Sequence, residues 1–220
     1  MHIEEYEQRG VKIYRLCVDE LSGTECFWEY YEQMSERRRS KVDRQQTDGG
    51  KKLTLGAGIL MDAGLMKYGL RERSVCIQEW GNGKPYAADY PQIHFNLSHS
   101  KNMVIAVFAD TEVGCDIEYI GSLRLQIAKR YFCPAEYEYI ISRPKEKQRE
   151  TFYRLWTLKE SFMKATGMGM KLPLNQFEFL LGEEEVRVRQ SVDDAKYHFM
   201  EFAPDGYRMA VCTRKQVIFD

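Results

Sequence analysis

The stretch "VGCDIEYI", Val113 to Ile120, alternates in the manner of a half-buried β-strand. On such a strand Asp116 and Glu118 leave one face, while Cys115 and Ile117 point to the other. Two like charges on one face repel unless a cation or water separates them. Spacing alone leaves two readings. The commoner is a strand with a wet face; the other is a pair of hard oxygen ligands for a cation such as Mg²⁺, which binds through a few carboxylates plus substrate phosphates. Some forty residues on, "LWTLKESFMKATG" places Trp156, Glu160 and Lys164 at i, i+4 and i+8, one stripe of a helix. Glu before Lys at that spacing is also the ordinary surface ion pair, worth ~0.3 to 0.5 kcal/mol. Leu155, Leu158, Phe162 and Met163 already supply the apolar face. Glu160 is therefore a candidate third oxygen ligand or general base, and Lys164 a candidate phosphate contact.

Working outward, a helix from about Gln148 to Ala165 follows shorter helices at Leu123 to Phe132 and Ala135 to Ile141. Strands are expected at Phe177 to Leu181, Val186 to Arg189, Tyr197 to Phe202 and Tyr207 to Cys212. Upstream, the pattern gives a strand at Val11 to Val18 and one long charged helix from Thr24 that Gly49 and Gly50 break. A second helix follows over "KKLTLGAGILMDAGLMKYG", ended by Gly69, then strands near Val75 to Glu79, Ile93 to Ser98 and Met103 to Ala109. Gly56, Ala57 and Gly58 would let another element approach that helix closely. Each half mixes a long helix with antiparallel strands. The expected fold is α+β, in two similar units, 1–112 and 113–220, with a link near Asp110 to Glu112.

With 32 Lys and Arg against 33 Asp and Glu, the net charge is −1, which argues against nucleic acid as partner. Any anion site must be local. Six cysteines without a CxxC pair read as reduced thiols, and the charged N-terminus with no run of ~18 apolar residues gives no signal peptide or membrane span. The expectation is a cytoplasmic protein without membrane contact. No GxxxxGK[ST] loop, GxSxG elbow or zinc-spaced cluster occurs.

Further cations stand in "SERRRSK", where Lys41 follows Arg37 by four residues and Arg38 by three, so either arginine can join it on a phosphate, with a hydroxyl such as Thr54 in support. Such runs are more often solvated faces. "GNGKP" is a tight reversal whose glycines also let backbone amides near a ligand, with Lys84 adding charge. In "FNLSHS", Ser98 and His99 diverge on a strand and cannot easily serve as nucleophile and base. The kit suits a polyphosphate and one Mg²⁺.

In order, "GNGKPY", "HFNLSHS", "VGCDIEYI" and "FYRLWTLKESFMKATGMGMKLPL", then a final "YRMAVC", resemble the Sfp-type 4'-phosphopantetheinyl transferases. The G-x-D-x-E strand is Gly114 to Glu118, and the W-x-x-K-E-x-x-x-K helix is Trp156 to Lys164. The resemblance implies transfer of the 4'-phosphopantetheine arm of coenzyme A to a serine of an acyl or peptidyl carrier protein, releasing adenosine 3',5'-bisphosphate. It implies that Asp116, Glu118 and Glu160 gather Mg²⁺, that Glu160 also serves as base, and that Lys164 neutralises phosphate charge. Ser98 and His99 become coenzyme A contacts, Lys84 lines the adenine side, and Arg37 or Arg38, Lys41 and Thr54 meet the 3'-phosphate. Ser122 to Cys133 would meet the carrier protein, with Leu125 and Phe132 as apolar anchors. The implied fold is a monomer of two pseudo-symmetric α/β halves with the active site at their interface. Two rivals are a metal-dependent nuclease, which the charge disfavours, and a silent homologue that binds without transfer.

Overall fold

The computed structural model describes residues 1–182 and 185–214. The chain divides into two compact units, Met1–Asp110 and Thr111–Asp220. Each is an antiparallel sheet with one long helix, the α+β class expected from the sequence.

The first unit opens with a hairpin, β1 (Glu4–Gln8) and β2 (Val11–Cys17), turning at Arg9 and Gly10. Both turn residues are left-handed, with φ of 51° and 75°, which suits the right-handed twist of the flanking strands. Three helices follow, α1 (Thr24–Gln33), α2 (Glu36–Asp43) and α3 (Asp48–Met66), then the short pair β3 (Ile77–Glu79) and β4 (Pro85–Ala87), and last β5 (His94–Ser100) and β6 (Met103–Ala109). The main sheet runs β1-β2-β6-β5.

The single charged helix expected from Thr24 is in fact two. Ser35 caps α2 by accepting from the Arg38 amide at 3.1 Å, and its own amide and hydroxyl donate to Glu72 at 2.8 and 3.0 Å. Gly49 and Gly50 do not break a helix either. They fill the first turn of α3 behind the Thr47 cap, whose side chain accepts from the Gly50 amide. In the last turn of α3, Gly64 faces the Phe108 ring so closely that a β-carbon would lie 1.9 Å from it, so the helix seats directly on the sheet.

The second unit comprises β7 (Val113–Tyr119), α4 (Leu125–Tyr131), α5 (Pro134–Ile141), α6 (Lys145–Ala165), β8 (Glu178–Leu181), β9 (Val186–Arg189), β10 (Tyr197–Phe202) and β11 (Tyr207–Arg214). Its three-stranded sheet runs β10-β11-β7, with β8 and β9 as a separate hairpin. Phe152, Leu155, Leu158 and Phe162 of α6 enter a core shared with Ala210 and Cys212 of β11. Burying each such large side chain contributes roughly 1.5–3 kcal/mol. Among the described residues no helix is long and apolar enough to cross a membrane.

Candidate active site

The carboxylates of the second unit lie along the seam between β7 and α6. Gly114 makes that seam narrow: a β-carbon there would stand 2.2 Å from the Ser161 carbonyl oxygen and 2.3 Å from the Ala165 nitrogen. Two and four residues on, Asp116 and Glu118 share its face of the strand. Lys164, one turn of α6 beyond Glu160, donates from Nζ to Asp116 Oδ1 at 2.8 Å and to the Cys115 carbonyl at 3.0 Å. Its side chain remains 26% exposed, while Asp116 is buried.

The electrostatics show how closely these groups are gathered. Burial raises the Glu160 carboxyl above the usual glutamate range, repulsion from Asp116 and Glu118 raises it further, and Lys164 pulls it back. Burial acts to lower the Lys164 ammonium, yet Asp116, the Cys115 thiol and Glu160 together outweigh that, and lysine is held above its ordinary value. The i, i+4 pair is thus no ordinary surface ion pair, since Lys164 reaches across to the neighbouring strand. The donors are hard oxygens, suited to Mg²⁺. Among the described residues no three His, Cys, Asp or Glu side chains form a ready-made metal cage. Mg²⁺ seldom needs one, because it keeps waters and takes substrate phosphates as ligands.

Lys159, adjacent to Glu160, is built into the core. It is fully buried, bonded to Glu136 Oε2 at 2.7 Å and to the carbonyls of Leu174 and Phe177 at 2.7 and 2.9 Å. Glu136 in turn accepts from the amides of Cys133 and Phe179 at 3.0 and 2.8 Å. This knot fixes the rotation of α6 that presents Glu160 and Lys164. The sequence reading passed over Lys159, although its place in the quoted W-x-x-K-E run marked it. Trp156 is half-buried and stacks near Phe132 and Phe152, with ring centroids 6.3 and 5.9 Å away. Phe132 is therefore not a docking anchor: it is 4% exposed and stacked parallel to Phe152 at 5.7 Å. Leu125 is half-buried, and Ser122, Arg124, Gln126, Lys129, Arg130 and Tyr131 are the exposed side chains of that segment.

In the first unit the charge run of α2 resolves into different roles. Arg38 is 6% exposed, with Nε 3.5 Å from Glu72 Oε1 and Nη1 3.4 Å from the Thr54 carbonyl oxygen. Burial lowers its guanidinium despite the pull of Glu72. Arg37 and Lys41 stay at the surface and converge on one oxygen, Glu79 Oε1, at 2.6 and 2.5 Å. Of the two arginines, Arg37 is the more accessible. Glu79 went unread in the sequence, though it directly precedes the "WGNGKP" turn. In that turn Gly83 is left-handed, with φ 83°, and the Lys84 amide donates to Asn82 Oδ1 at 3.0 Å. Trp80 and Tyr86 stack beside it, ring centroids 4.2 Å apart. On β5, Ser98 is buried and His99 exposed, the divergence their adjacency implies.

The model of the 4'-phosphopantetheinyl transferase superfamily matches residues 112–212. The 4'-phosphopantetheinyl transferase psf-1 of Bacillus pumilus is 36% identical over 183 residues, 82% of this chain and 76% of that protein. The 4'-phosphopantetheinyl transferase Sfp of Bacillus subtilis is 32% identical over 206 residues, 92% of each. A solved holo-(acyl-carrier-protein) synthase from Bacillus anthracis, in complex with CoA (3',5'-ADP), is also similar, with a TM-score of 0.42, 14% identity, and coverage of 47% of this chain and 95% of that one. With two relatives above 30% identity aligned over most of both chains, this chain belongs to the 4'-phosphopantetheinyl transferases.

Proposed function

We propose that this enzyme transfers the 4'-phosphopantetheine group of coenzyme A to a serine of an acyl or peptidyl carrier protein, with Asp116, Glu118 and Glu160 holding Mg²⁺. The observation that supports it best is the β7–α6 seam, where hard oxygen donors and Lys164 meet with mutually shifted protonation. When bound, the metal supplies positive charge to the diphosphate and to the departing oxygen.

In the step itself the serine oxygen forms a bond to the phosphorus next to pantetheine, and the bond from that phosphorus to the bridging oxygen breaks. The electron pair leaves with adenosine 3',5'-bisphosphate. The serine proton passes to the Glu160 carboxylate, which α6 presents beside Lys164. Lys164 holds Asp116 in place and brings its positive charge to the phosphate oxygens. In the first unit Arg37 and Lys41 meet the 3'-phosphate, with Thr54 beside them, Lys84 and its turn line the adenine, and Ser98 and His99 contact coenzyme A. Arg38 supports Arg37 and Lys41 from within the fold by bonding Glu72. The exposed cations and Tyr131 of Ser122 to Cys133 meet the carrier protein.

The test is intact-mass spectrometry of apo carrier proteins incubated with the enzyme and coenzyme A, with Mg²⁺ or with EDTA. The expected result is a gain of one phosphopantetheine that EDTA abolishes. A gain that survives EDTA would remove the metal from the proposal. No gain on any carrier, with coenzyme A still bound in calorimetry, would leave a binding protein without transfer.

A further inference from the structure

Glu79 has no part in the reading above, yet it holds two of that reading's phosphate contacts. Its Oε1 lies 2.6 Å from Arg37 Nη2 and 2.5 Å from Lys41 Nζ, so one carboxylate oxygen is shared by two cations on successive turns of α2. Without an anion between them, those two cations would repel. Glu79 is itself anchored: it ends β3, paired opposite Pro85 of β4, and the next residue, Trp80, donates its amide to the Lys84 carbonyl at 2.9 Å and stacks on Tyr86. Its carboxylate is half-exposed and can swing away without opening the core. Lys41, the larger influence, and then Arg37 hold its pKa below the usual glutamate range, so the group stays anionic near neutral pH.

We infer that Glu79 is a built-in stand-in for the phosphate: its carboxylate occupies the position of a phosphomonoester between Arg37 and Lys41, keeps the two cations converged, and is displaced when a 3'-phosphate binds. This rests on the assignment of Arg37 and Lys41 to the 3'-phosphate made above. A dianion with three terminal oxygens outcompetes one carboxylate for both cations, whereas a ligand lacking the phosphate cannot displace it. Glu79 thus sets how strongly the enzyme distinguishes 3'-phosphorylated ligands from those without that group.

The experiment measures by calorimetry the affinities of adenosine 3',5'-bisphosphate and adenosine 5'-monophosphate for wild type, Glu79→Gln, Arg37→Ala and Lys41→Ala. Glutamine keeps the size and a neutral acceptor but removes the competing charge. The expected outcome is that Glu79→Gln binds the bisphosphate about three- to tenfold more tightly, with the monophosphate unchanged, and that Arg37→Ala and Lys41→Ala each lower the ratio of the two affinities. If the alanine variants lower the ratio but Glu79→Gln leaves it unchanged or lowers it, the phosphate site stands and the stand-in is overturned. If neither alanine variant moves the ratio, the assignment of the phosphate contacts fails and the stand-in falls with it.

Discussion

Asp116, a proposed metal ligand, also has a structural part. Buried on β7 and bonded to Lys164 at 2.8 Å, it cannot be truncated cleanly, because Asp116→Ala would leave the Lys164 ammonium short of its partner. Asp116→Asn keeps an acceptor for Lys164 while removing the charge a metal needs. Transfer should fall about 100-fold or more with the thermal midpoint little changed, and Mg²⁺ binding followed by calorimetry should weaken in parallel. A variant that transfers at the wild-type rate would take Asp116 out of the ligand set. Tyr14 carries the opposite lesson. Its ring packs edge-on to Phe108 at 5.9 Å, but its buried hydroxyl has no hydrogen-bond partner among the described residues. Tyr14→Phe removes that unsatisfied group and should stabilise the protein by about 1 kcal/mol in urea. Burial, then repulsion from Glu5, Tyr68 and Glu7, pushes the phenol from 10.0 up to about 12. A raised pKa in the folded state means this contribution is complete below pH 10 and is lost as pH rises through about 12. The advantage of Tyr14→Phe should therefore grow over that window.

At the scale of elements, α6 carries two lysines five residues apart with different duties. Lys159 is sealed against Glu136 and two carbonyls, so Lys159→Met strands a buried carboxylate and should cost about 3–5 kcal/mol. Lys164→Met, at a 26% exposed side chain, should cost much less stability and mainly transfer. Urea midpoints and initial rates for the two variants separate these effects, and equal stability losses would contradict the division. From sequence the lysines look alike, since each lies in an amphipathic run and burial is decided by what the loop after the helix presents. What was legible had strong periodicity: β7 from its alternation, α6 from its apolar stripe, β6 from its unbroken apolar run. The first strand was not, because Glu4 to Gln8 forms an exposed edge strand with few apolar residues. The break at Ser35 was hidden inside a charge run, and the partner that fixes it, Glu72, lies 37 residues away. Gly49 and Gly50 misled for a physical reason: in the first turn of α3, behind a capping threonine, glycine does not end a helix. The same holds in the site. Residue types and spacing drew out Asp116, Glu118, Glu160 and Lys164, but nothing in "ERRRSK" separates buried Arg38 from half-buried Arg37.

Across the whole molecule, both units solve one problem, seating a long helix flat on an antiparallel sheet, with glycine on opposite partners. In the first the helix supplies Gly64 against the Phe108 ring; in the second the strand supplies Gly114 against the α6 backbone. Close seating excludes reagents as well as water, and the cysteines report on it. All six are free thiols, with Cys76 exposed, Cys17, Cys26 and Cys133 half-buried, and Cys115 and Cys212 fully buried in the second unit. Burial further raises the Cys133 thiol, which makes its thiolate scarcer at neutral pH. Maleimide labelling of the native protein followed by peptide mass spectrometry should thus modify Cys76 first. Cys17, Cys26 and Cys133 should follow more slowly, and Cys115 and Cys212 should react only as the second unit opens. Because Cys212 pairs opposite Gly114 and joins the core that α6 covers, its rate also reports on the seam. Gly114→Ala, which drives a methyl into α6, should expose Cys212 to reagent while leaving the Cys76 rate unchanged. If Cys212 in the native protein reacts as fast as Cys76, the seam is not closed, and the proximity that shifts Glu160 and Lys164 is lost with it.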